Sequence, residues 1–186
     1  MTSLASPIIT ARRPGWVLET LPFDTVPQMF WQQVQALGGS VMLRQKDLGL
    51  WRAYSWADVG QTVAEIGAGL VSLGFAPGQV VSVLANTCRE WVWADLAALS
   101  MGGVCNGIYP TDAASQVQYL CADSASVFLF VEDDEQLDKF LETRDHLPQV
   151  QRVSRNLSSC SSSSTNKKTL AESAHRYCTW LAASVG

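Results

Sequence analysis

The chain has 186 residues, 47% of them hydrophobic, and a formal net charge of -4 at pH 7. This length is enough for one domain with a sizeable core, and the acidic balance argues against the clustered basic surface of a nucleic-acid-binding protein. No apolar run approaches the ~20 residues of a membrane-spanning helix. Arg12 and Arg13 follow the first apolar residues, which is the reverse of the order in a signal peptide.

The cysteine content indicates a reducing, cytoplasmic setting. The number of cysteines is odd, and no two have C-x-x-C spacing. Reduced thiols fit this pattern better than a disulfide framework or a zinc site does. The cysteines are Cys88, Cys105, Cys121, Cys160 and Cys178.

The first elements are expected to be a helix and a hairpin. Residues 1–19 show no sustained period and are interpreted as a loose arm. Thr25 then predicts a helix that runs to Leu37, with a proline in its first turn. Two short strands, Val41–Gln45 and Leu50–Tyr54, are expected to pair as a hairpin. A loop with a single strand is the alternative interpretation.

The next helix has a predicted start and stop. Ser55 and Asp58 have the spacing of a capping box, with aspartate in place of the usual glutamate. Apolar residues then recur at helical spacing from Trp56 to Leu73. Gly74 follows the last of them, and Pro77 begins the turn into the next strand.

The stretch from Gln79 to Asp112 is typical of a strand–helix–strand unit. Val80–Ala85 is a short, β-branched apolar run. A helix with an apolar face follows and is stopped by Gly102 and Gly103. Val104–Tyr109 is the next predicted strand. Such a unit predicts a parallel sheet.

The pattern then repeats once more along the chain. Ser115–Cys121 is predicted as a helix, Val127–Val131 as a buried strand, and a further helix is expected to end before Pro148. Gln151–Val153 is interpreted as the start of another strand. The predicted fold class is therefore α/β, with a mostly parallel sheet that carries helices on both faces.

The character of the sequence changes after Val153. Seven of the twelve residues from Ser154 to Thr165 are serine. A segment of this composition is expected to be flexible and disordered. Residues 169–185 keep some helical spacing.

Several segments resemble the N-terminal part of the AMP-forming acyl-CoA synthetases, the adenylating ligase superfamily, and most closely its long-chain fatty acid group. Their order and spacing together carry the resemblance, which covers Thr20 to Val153. The matching segments are Tyr54–Asp58, Asn86–Trp91, Gly102–Val104, Tyr109–Thr111 and Phe128–Asp133.

The resemblance implies that residues 20–153 form the first subdomain of a truncated ligase, followed by a tail, residues 154–186, that lies outside the family pattern. The family reaction uses ATP, Mg²⁺ and a fatty or other carboxylic acid to make an acyl-adenylate, and coenzyme A then displaces AMP. The family's glycine-rich phosphate loop is absent, because the run from Ser158 to Thr165 has hydroxyls but no glycine. The family's catalytic lysine lies beyond the matched region.

The resemblance therefore assigns no catalytic, cofactor-binding or metal-binding residue here, and the chain alone is expected to be inactive. One alternative is a non-catalytic α/β binding or interaction module that self-associates through an exposed sheet edge. Another is an independent nucleotide-binding domain, although no phosphate motif is complete.

Two short motifs have both a functional and a structural interpretation. Gly67–Ala68–Gly69 is part of a dinucleotide fingerprint, but it lies inside a predicted helix, where small residues allow close helix–sheet packing. Glu132–Asp133–Asp134 follows a predicted strand, where open sheets bind ligands or metals. The structural interpretation of these acids, which we favour, is a solvated turn that begins the next helix.

Single residues give weaker indications. His146 and His175 are the only histidines, and no G-x-S-x-G motif supports a triad with either of them. Trp91 and Trp93 suggest an aromatic ligand platform, but core packing is the commoner role. Cys88 lies near a predicted helix N-terminus, which can lower a thiol pKa. Without a paired base, an incidental or buried cysteine is the favoured interpretation.

Overall fold

The structure is a computed structural model that describes residues 23–155. Helices and strands follow one another in the order predicted from the sequence. Their bounds are α1 Val26–Leu37, β1 Val41–Asp47, β2 Leu50–Ser55, α2 Trp56–Ser72, β3 Val80–Leu84, α3 Arg89–Ser100, β4 Val104–Ile108, α4 Ala114–Asp123, β5 Ser126–Val131, α5 Asp134–Thr143, a short 3-10 helix Arg144–His146, and β6 Arg152–Arg155.

The hairpin predicted between α1 and α2 is confirmed. Strands β1 and β2 pair antiparallel, with an irregularity between Val41 and Leu43. Leu48 and Gly49 form a two-residue turn with φ of 48° and 85°. Positive φ at both central residues is the condition of a type I′ turn, whose twist suits a hairpin. Because the turn is this tight, β1 continues to Asp47, beyond the end predicted for it.

The remaining described strands form a parallel sheet in the order β4-β3-β5-β6. The chain leaves β3 toward β4 on one side and then passes β3 to reach β5 on the other. Because parallel crossovers are right-handed, this reversal puts α3 on one face of the sheet and α4 and α5 on the other. The predicted α/β fold with helices on both faces is confirmed.

Two apolar cores lie on the two faces of the sheet. The α1–α3 face holds the larger one, which includes Phe30, Val63, Trp93 and Phe130. The α4–α5 face holds a smaller one around Val117, Cys121, Leu129, Phe140 and Leu147. The alternation of inward side chains along β5 supplies both cores.

Helix α2 begins with the capping box predicted for it. The Ser55 backbone N–H donates to Asp58 Oδ2 at 3.0 Å, and the Asp58 N–H donates to Ser55 Oγ at 3.1 Å. Further along the chain, a Cβ added at Gly103 would lie 2.3 Å from Phe75 Cζ. This glycine therefore allows the close approach of the chain between α3 and β4 to the aromatic ring of Phe75.

The end of the sheet differs from the prediction at one point. Ser154 and Arg155, which begin the segment predicted to be flexible, lie in strand β6. They pair with Phe130 and Val131 of β5, so backbone pairing outweighs their polar composition. The predicted arm, residues 1–19, and the rest of the serine-rich tail lie outside the described residues.

Candidate functional site

The strand order identifies one crevice as the candidate site. In open α/β sheets, ligands bind beyond the carboxyl ends of the strands, at the point where the strand order reverses. Here that point lies between β3 and β5, which are neighbours although β4 separates them in sequence. The loop from Ala85 to Cys88 and the loop at Glu132 and Asp133 lie at this edge.

A side-chain contact ties the two loops together. Glu132 Oε2 accepts hydrogen bonds from the Asn86 backbone N–H at 2.7 Å and from Asn86 Nδ2 at 3.0 Å. The Glu132 backbone N–H donates to Leu84 O at 3.2 Å and continues the ladder of the sheet. The contact holds the start of the α3 loop against the end of β5.

A small, largely apolar pocket lies under this contact. Its volume of about 30 Å³ has room for about one water molecule. A nucleotide does not fit in it. The pocket is lined by Val83, Ala85, Cys88, Trp91, Phe130, Val131 and Glu132.

Each of the three consecutive acids has a protein partner. Glu132 binds Asn86, as above. Asp133 caps α5 by accepting from the Gln136 backbone N–H at 3.0 Å, and Asp134 forms an ion pair with Arg155. Among residues 23–155, no three His, Cys, Asp or Glu side chains gather in a way that could hold a metal ion. These roles are structural.

Cys88 does not have the lowered pKa that its position suggests. It is the N-cap residue of α3, and its side chain makes no capping hydrogen bond. Burial raises the pKa of the Cys88 thiol, an interaction with the Trp91 backbone N–H lowers it in part, and the nearby carboxylates of Glu90 and Glu132 raise it further. Desolvation and acidic neighbours here outweigh any benefit from the helix N-terminus, so this thiol is not activated.

The two tryptophans of α3 serve packing. Trp93 is buried and meets the Tyr54 ring edge-on, with centroids 5.8 Å apart. Trp91 lies against β4, where a Cβ added at Gly107 would be 3.0 Å from its Cζ2. Trp91 also lines the small pocket under the Asn86–Glu132 contact.

Arg89 joins the hairpin to α3, a role that the sequence did not reveal. Its Nη1 donates to the Tyr54 hydroxyl, and its backbone N–H donates to Gln45 Oε1 at 2.9 Å. The guanidinium lies over the rings of Tyr54 and Trp93, 5.1 and 5.6 Å from their centroids, and its Nε is 2.7 Å from Glu90 Oε1. Only the fold brings these residues together, since Gln45 and Arg89 are far apart in sequence.

A buried polar cluster on the α4–α5 face was also missed. Ser82 and Ser126 are fully buried, and their hydroxyls are 2.6 Å apart. Asn106 Nδ2 donates to Ser82 Oγ at 2.9 Å, and Ser124 Oγ is 2.7 Å from Ser126 Oγ. In the sequence, the only indication of this cluster was Ser82, the single serine within the apolar run of β3. We call these four residues the serine network.

The remaining candidates have no place in a site. Gly67 lies in α2 and faces Met101 at the end of α3, with 3.1 Å from an added Cβ to Met101 Cε. The contact is therefore helix–helix and not the helix–sheet packing we favoured. His146 is exposed after α5, and His175 lies outside the described residues. Within residues 23–155, no helix is long and apolar enough to cross a membrane.

Curated proteins similar in sequence to this chain include long-chain-fatty-acid–CoA ligases. A long-chain-fatty-acid–CoA ligase from Xenopus laevis is 29% identical over 134 residues, which is 72% of this chain and 18% of that protein. Another, from Rattus norvegicus, is 32% identical over 117 residues, or 63% of this chain and 18% of the relative. The chain thus spans about a fifth of the length of these curated relatives.

Solved structures show the same fold at lower identity. The N-terminal domain of FACL13 from Mycobacterium tuberculosis superposes with a TM-score of 0.70 at 18% identity, covering 77% of this chain and 37% of that one. The anthranilate CoA ligase AuaEII, in complex with anthranoyl-AMP, gives 0.65 at 18% identity, covering 79% of this chain and 27% of that one.

The family comparison reaches further along the chain than the described residues do. The AMP-binding enzyme family matches residues 30–181 and so continues past Val153, where we predicted the family pattern to end. The domain boundary at Val153 stays a prediction. Because the match covers most of the sequence, this chain belongs to the AMP-binding enzyme family.

Proposed function

We propose that this chain forms the first subdomain of a long-chain fatty acid–CoA ligase. The reaction would be the ATP-dependent activation of a fatty or other carboxylic acid to an acyl-adenylate, followed by thioester formation with coenzyme A. The family match over residues 30–181 carries the proposal, and the curated long-chain-fatty-acid–CoA ligases that resemble the chain support the substrate class. We also propose a cytoplasmic location.

The role of the described residues is to build one wall of the enzyme. The Asn86–Glu132 contact fixes two loops at the carboxyl edge of the sheet, the edge at which open α/β sheets present ligands. The acids at this edge are engaged with protein partners, and the pocket beneath them has room for one water molecule. We therefore assign the binding of ATP, Mg²⁺ and coenzyme A to residues outside 23–155.

Two experiments test this proposal. The first is to sequence the gene and its downstream flank. A frame, shifted or continuous, that encodes a glycine- and threonine-rich phosphate loop and a later lysine-bearing domain is the expected result. An intact stop with no such region downstream would contradict the assignment of this chain to a full ligase.

The second experiment is an assay of the purified chain with ATP, Mg²⁺, coenzyme A and a series of fatty acids. We expect no carboxylate-dependent release of AMP, because the sequence has no phosphate-loop signature. Joining the chain to the downstream region should restore AMP release. Turnover by the chain alone would contradict the expected inactivity.

A second candidate function is a non-catalytic module that associates through its sheet. Strands β4 and β6 are the outer strands of the parallel sheet among the described residues, and Val104 and Tyr109 at the β4 edge are exposed. Unpaired edges with apolar neighbours favour strand addition. Light scattering of the purified chain should then show a dimer or larger species, whereas a stable monomer at high concentration would count against this candidate.

A further inference from the structure

The tip of the β1–β2 hairpin exposes a group of large apolar side chains. Leu48 is fully exposed, and Leu50 and Trp51 are 72% and 68% exposed. Single exposed apolar residues are ordinary, but three within four consecutive residues make the end of the hairpin apolar on both of its faces, since Leu50 and Trp51 alternate along β2. We call Leu48, Leu50 and Trp51 the hairpin tip.

The backbone at the hairpin tip is also unfavourable for the residue it carries. Leu48 has φ of 48°, in the left-handed region. Asparagine, aspartate or glycine suits this turn position, whereas a leucine there is strained. The sequence thus accepts both backbone strain and an exposed leucine at one position. Strained backbone of this kind clusters at functional sites such as ligand clamps.

Positive charge surrounds the exposed tryptophan. Lys46 is the cross-strand partner of Trp51, and Arg44 and Trp51 together line an open depression on the same face of the hairpin. The hairpin sequence has three basic residues and one acid, although the whole chain carries a net charge of -4. Helix α5, behind the sheet from α1–α3, has four acids and one lysine.

The hairpin is held firmly in this orientation. Gln45 and Tyr54, on its inner side, are both hydrogen-bonded to Arg89 at the start of α3. Trp51 and its neighbours Arg44 and Lys46 therefore project outward from a fixed base. The basic hairpin and the acidic helix α5 lie on opposite sides of the sheet among the described residues, and such a separation of charge favours an approach to a negatively charged surface by the hairpin side.

We propose that the hairpin docks onto the surface of an anionic lipid bilayer. Leu48 and Leu50 enter the boundary between headgroups and acyl chains, Trp51 lies at headgroup level, and Arg44 and Lys46 bind lipid phosphates. Tryptophan favours this interface, and basic side chains are attracted to anionic lipids within a Debye length. The hairpin lies on the membrane without spanning it. This inference does not depend on the ligase activity.

Vesicle flotation of the full 186-residue chain tests the proposal. The chain should bind vesicles of phosphatidylglycerol and phosphatidylcholine in equal amounts, should leave them as salt is added, and should bind pure phosphatidylcholine much more weakly. Replacing both cations, Arg44→Gln with Lys46→Gln, should weaken binding by about 30-fold. Trp51→Ala should weaken it by roughly tenfold.

Matched substitutions on the other side of the sheet serve as controls. Tyr119→Ala removes an aromatic ring that is 65% exposed on α4, and Arg144→Gln removes an exposed cation after α5. Neither should change vesicle binding. Circular dichroism verifies that each variant is folded. If Trp51→Ala does not fold, the Arg44→Gln, Lys46→Gln double variant and the salt titration still test whether the hairpin binds anionic vesicles.

Three results would overturn the proposal. One is the absence of binding to anionic vesicles, and another is an equal loss of binding in the hairpin variants and the controls. The third is a self-associated species that the hairpin substitutions dissociate, since the hairpin tip would then be an interface between protein chains. Failure of the vesicle test leaves the ligase proposal intact, because that proposal is tested by the gene sequence and by AMP release.

Discussion

The two faces of the parallel sheet are filled in different ways. On the α1–α3 face, β3 and β5 present only apolar side chains to the helices, among them Val81, Val83 and Phe128. On the α4–α5 face, the same two strands bury Ser82 and Ser126 beside Leu129. On the first face the strands meet the helices through apolar packing, and Trp31 Nε1 donates to the buried Ser100 Oγ at 3.1 Å between α1 and α3. On the second face the buried hydrogen bonds join the strands of the sheet themselves.

This difference determines how each face should respond to substitution. An apolar core loses stability in proportion to the volume removed. A buried polar network loses stability when one member leaves another without a partner, and removing both partners together is milder. Substitutions on the two faces therefore test two different physical terms within one small sheet.

The largest effect is expected from Phe128→Ala on the α1–α3 face. The ring is buried and meets Phe75 edge-on, with centroids 5.7 Å apart. Its removal leaves a cavity in a close-packed core, so urea unfolding should show a loss of about 3–5 kcal/mol in the free energy of unfolding. Leu141→Ala, at a position on α5 that is 44% exposed, is the control and should change it by about 1 kcal/mol or less. A similar small loss for Phe128→Ala would mean that this face is loosely packed.

The apolar face could be predicted from the sequence, and the polar one could not. Periodic apolar residues revealed α2, α3 and the strands, because burial imposes a period of 3.6 on helices and of 2 on strands. The Ser55–Asp58 capping box could be predicted because both partners lie within one turn of helix. By contrast, Ser82 occurs in an apolar run and gave no sign of Ser126 or Asn106, which only the strand order β4-β3-β5 brings beside it.

Part of the candidate site could likewise be predicted from the sequence, and part could not. That Glu132 follows a strand was clear from the sequence, but its partner Asn86 depends on which strand neighbours β5. Arg89 was part of a family resemblance without any assigned contact. Its contacts to Gln45 and Tyr54 join elements that are distant in sequence. The spacing of nearby residues in the sequence indicates where helices and strands end. Which loops contact each other depends instead on the order of the strands in the sheet.

The second largest effect is expected from Ser82→Ala, which tests the serine network. Asn106 and Ser126 each lose one hydrogen-bond partner but keep Ser124. The expected loss in the free energy of unfolding is therefore about 1 kcal/mol, at the low end for an unsatisfied buried group. Urea unfolding measures it. Ser72→Ala, at an exposed position on α2, is the control.

The double variant Ser82→Ala with Ser126→Ala distinguishes a network from two independent contacts. Since the two hydroxyls are partners, the loss in the double variant should be smaller than the sum of the two single losses. Additive losses would show that the hydroxyls stabilise the fold separately and would remove the proposed distinction between the two faces.

A pH-dependent effect is expected at the margin of the α1–α3 face, where Asp95 of α3 meets Cys105 of β4. Burial raises the pKa of the Asp95 carboxyl, and a hydrogen bond from the Cys105 thiol offsets part of that rise. Burial, followed by the charge of Asp95, raises the pKa of that thiol to about 12, so it stays protonated. A raised carboxyl pKa means that the folded state holds the proton more tightly. The stability from this group is present below the unfolded pKa and is lost as pH rises through the folded pKa.

Asp95→Asn should therefore stabilise the protein at neutral pH and lose that advantage in acid. The gain should be below about 1 kcal/mol, because the carboxylate is partly solvated and its field is screened. Asp58→Asn is the matched control with the opposite sign. The hydrogen bonds from Ser55 lower the pKa of Asp58, so its contribution is present above the unfolded pKa and lost as pH falls through the folded pKa. Thermal unfolding of both variants is measured across the acid range. If the stability of the two variants changed with pH in the same direction, the opposite signs assigned to Asp95 and Asp58 would be wrong.

The smallest effect is expected at Ala125, in the turn that joins α4 to β5 beside the serine network. Its φ of 51° is in the left-handed region, where an alanine costs roughly 1–2 kcal/mol and a glycine does not. Glycine also increases the entropy of the unfolded chain, which opposes folding by about 0.5–1 kcal/mol. Ala125→Gly should therefore stabilise the fold by about 0.5 kcal/mol, measured as a higher midpoint in urea.

Gly78→Ala is the reciprocal control, since Gly78 has φ of 83° and open space around it, and it should destabilise by a similar amount. If Ala125→Gly instead destabilised the protein, the side chain of residue 125 would be holding Ser124 and Ser126 in register, and the serine network would depend on the rigidity of this turn as well as on its hydroxyls.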